Sequence, residues 1–184
     1  MMIRLLLTAL LASSASLVSA FVEEHRHSGI CDASGVVAIS NDAFAVADDE
    51  LNRLLIYNLH TSGPEESSLE LSDFLGLHQQ ADNTKNKPRK MTKEADLEGA
   101  ARVGDVIYWI SSHGRNRKGK RVDARMQFFA TKIYSDGLKS VLRPFGSPYI
   151  RLLQDIIAAP QHQSFQLEAA ATLPPKAPGG LNIE

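Results

Sequence analysis

Between residues 35 and 72 the chain offers only short apolar runs, each closed by polar turn residues, with no helix-length segment between neighbours. Residues 35–39 end at Ser40-Asn41-Asp42, and residues 43–47 alternate small side chains with Phe44 and Val46. The acidic turn 48–52 leads into a third run, RLLIYNL at 53–59, and residues 68–72 set Leu69 and Leu71 on one face. Alternation with period two predicts half-buried strands. Parallel strands need a crossover of a dozen or more residues, so these four are expected to pair antiparallel. One blade of a β-propeller and a stretch of sandwich both satisfy that pattern.

A second unit of the same kind follows. Residues 98–103 reach Gly104-Asp105 and turn into VIYWIS at 106–111, which is apolar on both faces and therefore expected at the centre of a sheet. Residues 126–134, MQFFATKIY, are expected to pair back antiparallel, with Tyr108, Trp109, Phe128 and Phe129 in the core. The units are joined by a polar, basic stretch at 78–91, read as a long surface loop or, equally, a disordered insertion. Past Pro144 and Pro148, read as bracketing a Gly-Ser turn, Tyr149, Leu152, Leu153, Ile156 and Ile157 share one helical face. That helix is expected to end near Pro160, with a second short one at 164–171.

The first residues read as a targeting segment: a positive start at Arg4, an apolar run at 3–11 and Val18-Ser19-Ala20 as a small-residue cleavage site. The run is about half of the ~20 residues that span a bilayer. The expectation is an exported protein, periplasmic or extracellular, with a signal peptide at 1–20 and no stable membrane anchor after cleavage. Cys31 is the only cysteine, which excludes an intrachain disulfide and a cysteine zinc site, and it is expected to be buried. A formal net charge of −1 implies no strong field for nucleic acid.

Chemistry concentrates in KEADLEGAARVGDVIYWISSHGR at 93–115. On an extended chain Glu94, Asp96 and Glu98 point to one side. Three such carboxylates need a metal, a basic partner, solvent or shifted pKa values. All-oxygen ligation suits Ca²⁺ or Mg²⁺. Asp48 and Asp49 occupy the corresponding strand end of the first unit, so Asp48, Asp49, Glu94 and Asp96 are the candidate metal ligands. Glu98, His113 and Arg115 are the candidate catalytic residues, and the basic loop 115–121 could hold a phosphate or carboxylate. Plainer readings stand beside these: solvated turn acids, a hydrogen-bonded structural histidine and a solvated basic hairpin. No G-x-S-x-G, H-E-x-x-H, P-loop or dinucleotide fingerprint is present.

The segments ICDASGVVAI, FAVADDELNRLLIY, KEADLEGAARVGDVIYWISSHGRNRKGK, MQFFATKI and LPPKAPGGLNIE, in that order from about Gly29 to Glu184, resemble a bacterial family catalogued as domain of unknown function 3616. Its members resemble β-propellers, and the D-x-E-G element at Asp96–Gly99 is similar to that of phytase-like and esterase-like propellers. The resemblance implies a mainly β, partial propeller-like array of antiparallel four-stranded units, with one or two helices inserted near 149–171. The implied units are about 29–76, a loop at 78–92, about 94–140, the helical insertion, and the start of a further unit at 179–184, which bears Asn182 and Glu184. Family members continue past N-I-E, so the chain is expected to be part of a larger array, with open blade edges inviting self-association. The family carries no established activity. Two functions fit: a binding or scaffold module of the cell envelope for a small-molecule or protein ligand, and a metal-dependent hydrolase of a phosphate or carboxylic ester.

Overall fold

The computed structural model describes residues 23–78, 92–136 and 139–183. The segment 1–20, read above as a signal peptide, and most of the basic stretch at 78–91 lie outside them. Eight strands form two four-stranded antiparallel meanders, in the orders β1-β2-β3-β4 and β5-β6-β7-β8. The first contains β1 (Ala33–Ala38), β2 (Ala43–Asp48), β3 (Arg53–Asn58) and β4 (Ser67–Glu70). The second contains β5 (Leu97–Val103), β6 (Val106–Ser111), β7 (Phe128–Asp136) and β8 (Lys139–Tyr149). The mainly β architecture of two four-stranded antiparallel sheets agrees with the sequence expectation and is consistent with a partial propeller-like array.

The two inner faces share one core. Leu54 and Ile56 from β3 pack in a single cluster with Leu97, Ile107, Trp109, Phe129 and Leu142 of the second sheet. Trp109 is fully buried, and its indole N–H donates to Thr131 Oγ1 at 2.9 Å, so the one polar atom of the ring is satisfied. Tyr108, next in the strand, points the other way and is 38% exposed. It stacks on the half-buried Phe128 at a ring separation of 5.9 Å. The aromatic run therefore divides between faces, as strand alternation requires, and only Trp109 and Phe129 belong to the core.

Gly35 on β1 sets how closely the sheets approach. A Cβ there would lie 3.1–3.3 Å from the backbone of Gly99 and Ala100 on β5. Neither backbone can rotate aside, so Gly35→Ala should push the sheets apart and cost about 1–3 kcal/mol, the usual range for overpacking. A chemical denaturation curve checks this; an unchanged midpoint would show that the strands slide freely.

Three expectations need correction. Cys31 is exposed, because it precedes the first ladder, and its N–H rather than its thiol is engaged. Pro144 and Pro148 do not bracket a free turn but lie within β8, an edge strand whose unpaired side loses no ladder bond to proline. The Pro/Gly-rich sequence marks a bulge instead. Between the pairs Ala130↔Phe145 and Phe128↔Tyr149, two steps on β7 face four on β8, and Gly146 takes φ +72° there. Tyr149 consequently ends a strand, and the helix begins later than expected: α1 is Leu152–Ala158 and stops before Pro160. A 3-10 stretch (Pro160–Phe165) and α2 (Leu167–Ala170) follow. Residues 181–183 form no assigned strand, but the Ile183 N–H donates to the Ser112 carbonyl at 2.9 Å. Among the described residues no helix is long and apolar enough to cross a membrane.

Candidate functional site

The β2–β3 turn and the entry to β5 meet at one end of the sheets, and Asn52 joins them. This residue is buried at φ +52°, a left-handed conformation that asparagine tolerates better than most residues. Its amide nitrogen donates to the Lys93 carbonyl at 2.8 Å, and its oxygen accepts the Ala95 N–H at 2.7 Å. Those two bonds flank Glu94 and fix the chain that carries Glu94, Asp96 and Glu98.

The period-two argument fails locally at this point. Asp96 has φ +58°, and Glu98 sits where the β5–β6 register shifts between Leu97 and Gly99. The three carboxylates nevertheless line one cleft of about 830 Å³, since the turn and the bulge together re-aim them. Arg115, Arg117 and Lys118 line the same cleft, as do Lys176 and Asn182 from the C-terminal segment. Asn182 packs so tightly on Gly114 that a Cβ there would lie 2.5 Å from its Oδ1.

Arg125, which sequence reasoning did not single out, is the counter-charge at the cleft floor. Its Nη1 lies 2.9 Å from Asp96 Oδ2, and its Nη2 lies 3.6 Å from Glu94 Oε1. It belongs to a 3-10 turn, Asp123–Arg125, whose Arg125 carbonyl accepts the His113 N–H at 3.1 Å. No periodicity or motif marks a residue in such a turn, so only the fold reveals it.

The structure sorts the candidate ligands. Asp49, Asp96 and Glu98 each offer a carboxylate oxygen, all within 4.8 Å of one another. Asp48 points elsewhere. It is fully buried, and its two oxygens accept the Leu51 and Cys31 N–H groups, both at 3.1 Å, with Arg53 at 3.8 Å. It ties the turn together, which is the turn-capping role open to any aspartate at a strand end. Glu94 pairs with Arg125 and flanks the trio.

Asp49 is the strained member. Its Oδ1 is shut off from solvent without a hydrogen-bond partner. Burial, then the charges of Asp32, Asp96, Glu94 and Asp48, push its pKa up to about 6. A carboxyl raised in the folded state stabilises below its unfolded pKa near 4, and that contribution disappears as pH climbs through 6. Metal-free protein should therefore lose stability between about pH 4 and 6. Asp49→Asn should flatten that slope and raise stability at pH 7 by about 1 kcal/mol, after allowance for solvent screening. Melts of both proteins across that range, in chelator, read this directly; parallel curves would mean that Asp49 is ionised at ordinary cost.

The proposed catalytic residues do not converge. Glu98 lines the cleft, whereas His113 lines a separate cavity behind it, and only Arg115 borders both. Arg115 donates through Nε to the Ala171 carbonyl at 2.7 Å and through Nη1 to the Gly119 carbonyl at 3.0 Å, tying the basic loop to the helical segment. His113 is buried at φ +52°, with Nδ1 2.8 Å from the Ser111 carbonyl. Burial pushes its pKa down, against the pull of that carbonyl.

A family model described as "protein of unknown function (DUF3616)" matches residues 32–134, more than half of the chain, and takes in every carboxylate and arginine of the cleft floor. No curated protein matches the chain. The chain belongs to the DUF3616 family.

Proposed function

We propose that this member of the DUF3616 family is an exported binding module of the cell envelope. In this reading it clasps an anionic ligand between a divalent cation and a basic loop. One observation carries the proposal: a single cleft is lined both by Asp96 and Glu98, whose carboxylate oxygens lie within 4.8 Å of one of Asp49, and by the basic side chains of Arg115, Arg117 and Lys118. Three convergent carboxylates with an orphaned oxygen suit a hard cation, Ca²⁺ or Mg²⁺, whose remaining sites fall to water or ligand oxygens. Arg117 and Lys118 are exposed and would reach the ligand's anionic group. In this role the cation bridges two negative partners, and affinity for each depends on the other.

The test is calorimetric titration of inorganic phosphate and of citrate in chelator and in Ca²⁺ or Mg²⁺. Cation-dependent binding that weakens about tenfold in Arg117→Ala/Lys118→Ala supports the reading, since two charge-assisted contacts would be lost. Binding indifferent to the cation would overturn it. A second reading, metal-dependent ester hydrolysis, is favoured by Asp49, a carboxyl with a pKa of about 6 beside a cleft. It requires turnover of a generic phosphate or acyl ester that disappears in Glu98→Ala while the melt stays cooperative.

A further inference from the structure

The C-terminal segment runs along the basic loop and helps to line the acidic cleft. Two anchors hold it. Arg115 Nε donates to the Ala171 carbonyl at 2.7 Å, and the Ile183 N–H donates to the Ser112 carbonyl at 2.9 Å. Between these anchors the chain folds back on itself. The Ala177 N–H donates to the Pro174 carbonyl at 3.0 Å, and the Gly180 N–H donates to the Ala177 carbonyl at 2.8 Å. The Leu181 N–H then returns to the Ala170 carbonyl at 3.1 Å. Only glycine fits where the two turns close, since a Cβ on Gly180 would lie 2.2 Å from the Pro174 carbonyl oxygen. Lys176 is carried within this loop and lines the cleft beside Pro174, Pro175 and Asn182.

Charge shows what such a loop is suited to hold. Five of the side chains lining the cleft are cationic and three are carboxylates, and with Asp49 added the cations still outnumber the acids. Arg125 is spent on Asp96 and Glu94, and Arg115 donates to two carbonyls. Among the described residues Arg117, Lys118 and Lys176 have no ion-pair partner, and all three are exposed. Like charges gathered at one cleft repel one another until an anion joins them. The segment is also lightly held. None of residues 172–183 is buried, so its docking rests on a few hydrogen bonds and lies at the low-stability end of the fold.

We propose, on the binding role given above, that residues 172–183 clamp the anionic ligand of this cleft and that Lys176 is the clamp's contact residue. The ligand is a multiply charged anion such as a phosphate dianion, because a bound divalent ion adds to an existing excess of cations. It accepts hydrogen bonds from Lys176 on the C-terminal loop and from Arg117 and Lys118 on the basic loop. Binding therefore fastens one segment to the other.

Calorimetric titration with inorganic phosphate in Ca²⁺ or Mg²⁺, joined to amide hydrogen exchange, tests this. Lys176→Ala should weaken phosphate binding about tenfold, the worth of one charge-assisted hydrogen bond. Gly180→Ala keeps Lys176 but forces the loop open. It should weaken phosphate binding similarly and leave the cation-induced rise in melting temperature unchanged. Phosphate with the cation should slow exchange of the Leu181 and Ile183 amides in wild type but not in Lys176→Ala. If Gly180→Ala fails to fold, Lys176→Ala, at an exposed position, still decides. Wild-type affinity in Lys176→Ala overturns the clamp, as do wild-type amides whose exchange phosphate leaves unchanged. Failure of wild type to bind phosphate in either cation would instead overturn the binding role itself, and the clamp with it.

Discussion

Asn52→Ala should lower the melting temperature by about 10 °C, equivalent to about 3 kcal/mol for a chain of this size. The substitution strips the Ala95 N–H and the Lys93 carbonyl of their buried partner and leaves alanine at φ +52°. Unmet buried groups and a left-handed alanine each carry a cost. The loss should extend beyond stability. Asn52 holds the segment on which Glu94 and Asp96 sit, so cation affinity should fall even in protein still folded at low temperature. Asn52→Asp separates the two contributions. It keeps an acceptor for Ala95 but turns a second oxygen toward the Lys93 carbonyl, so it should fall between wild type and alanine. Differential scanning calorimetry with calcium titration checks both effects. A melt within 2–3 °C of wild type, a shift worth less than about 1 kcal/mol, would mean that the two units are joined mainly by their shared core.

Arg125→Ala should move stability and cation affinity in opposite directions. Without the guanidinium, Asp96 and Glu94 face Asp49 and Glu98 uncompensated, and the metal-free protein should lose about 1–2 kcal/mol at low salt. The same change frees Asp96 Oδ2 and removes a positive charge from the cleft floor, so Ca²⁺ or Mg²⁺ should bind about tenfold tighter, with added salt shrinking the difference. Arg125→Lys should keep part of the charge balance but not the fork that reaches two carboxylates at once. Parallel losses of stability and affinity would instead assign Arg125 a purely scaffolding role.

The strands were readable from residues alone because alternation, polar turns and the absence of crossover helices all agree between 35 and 72 and again from 98 to 134. β8 escaped that reasoning for a physical cause. Pro144, Gly146 and Pro148 are turn formers by local chemistry, and only an edge position with a bulge lets them remain in a strand. The cleft was half visible. Glu94, Asp96 and Glu98 do share it, though a left-handed Asp96 and a bulge bring them together rather than simple extension. Asp48 and Asp49 are adjacent in sequence yet divide their work, one clamping a turn and one facing the carboxylates, because neighbouring residues at a strand end point to different sides. Arg125 and Lys176 could not be found, since each reaches the cleft from a segment whose position depends on the tertiary fold.

The reading stands or falls on whether Asp49, Asp96 and Glu98 hold a cation. The most direct measurement is a thermal melt of residues 21–184 in chelator and then in Ca²⁺ or Mg²⁺, for wild type and for Asp96→Asn/Glu98→Gln. One of the two ions should raise the wild-type transition in a concentration-dependent way, as ligands of the native state must, and leave the double variant unmoved. Wild-type melts that superimpose in chelator and in both ions would contradict it.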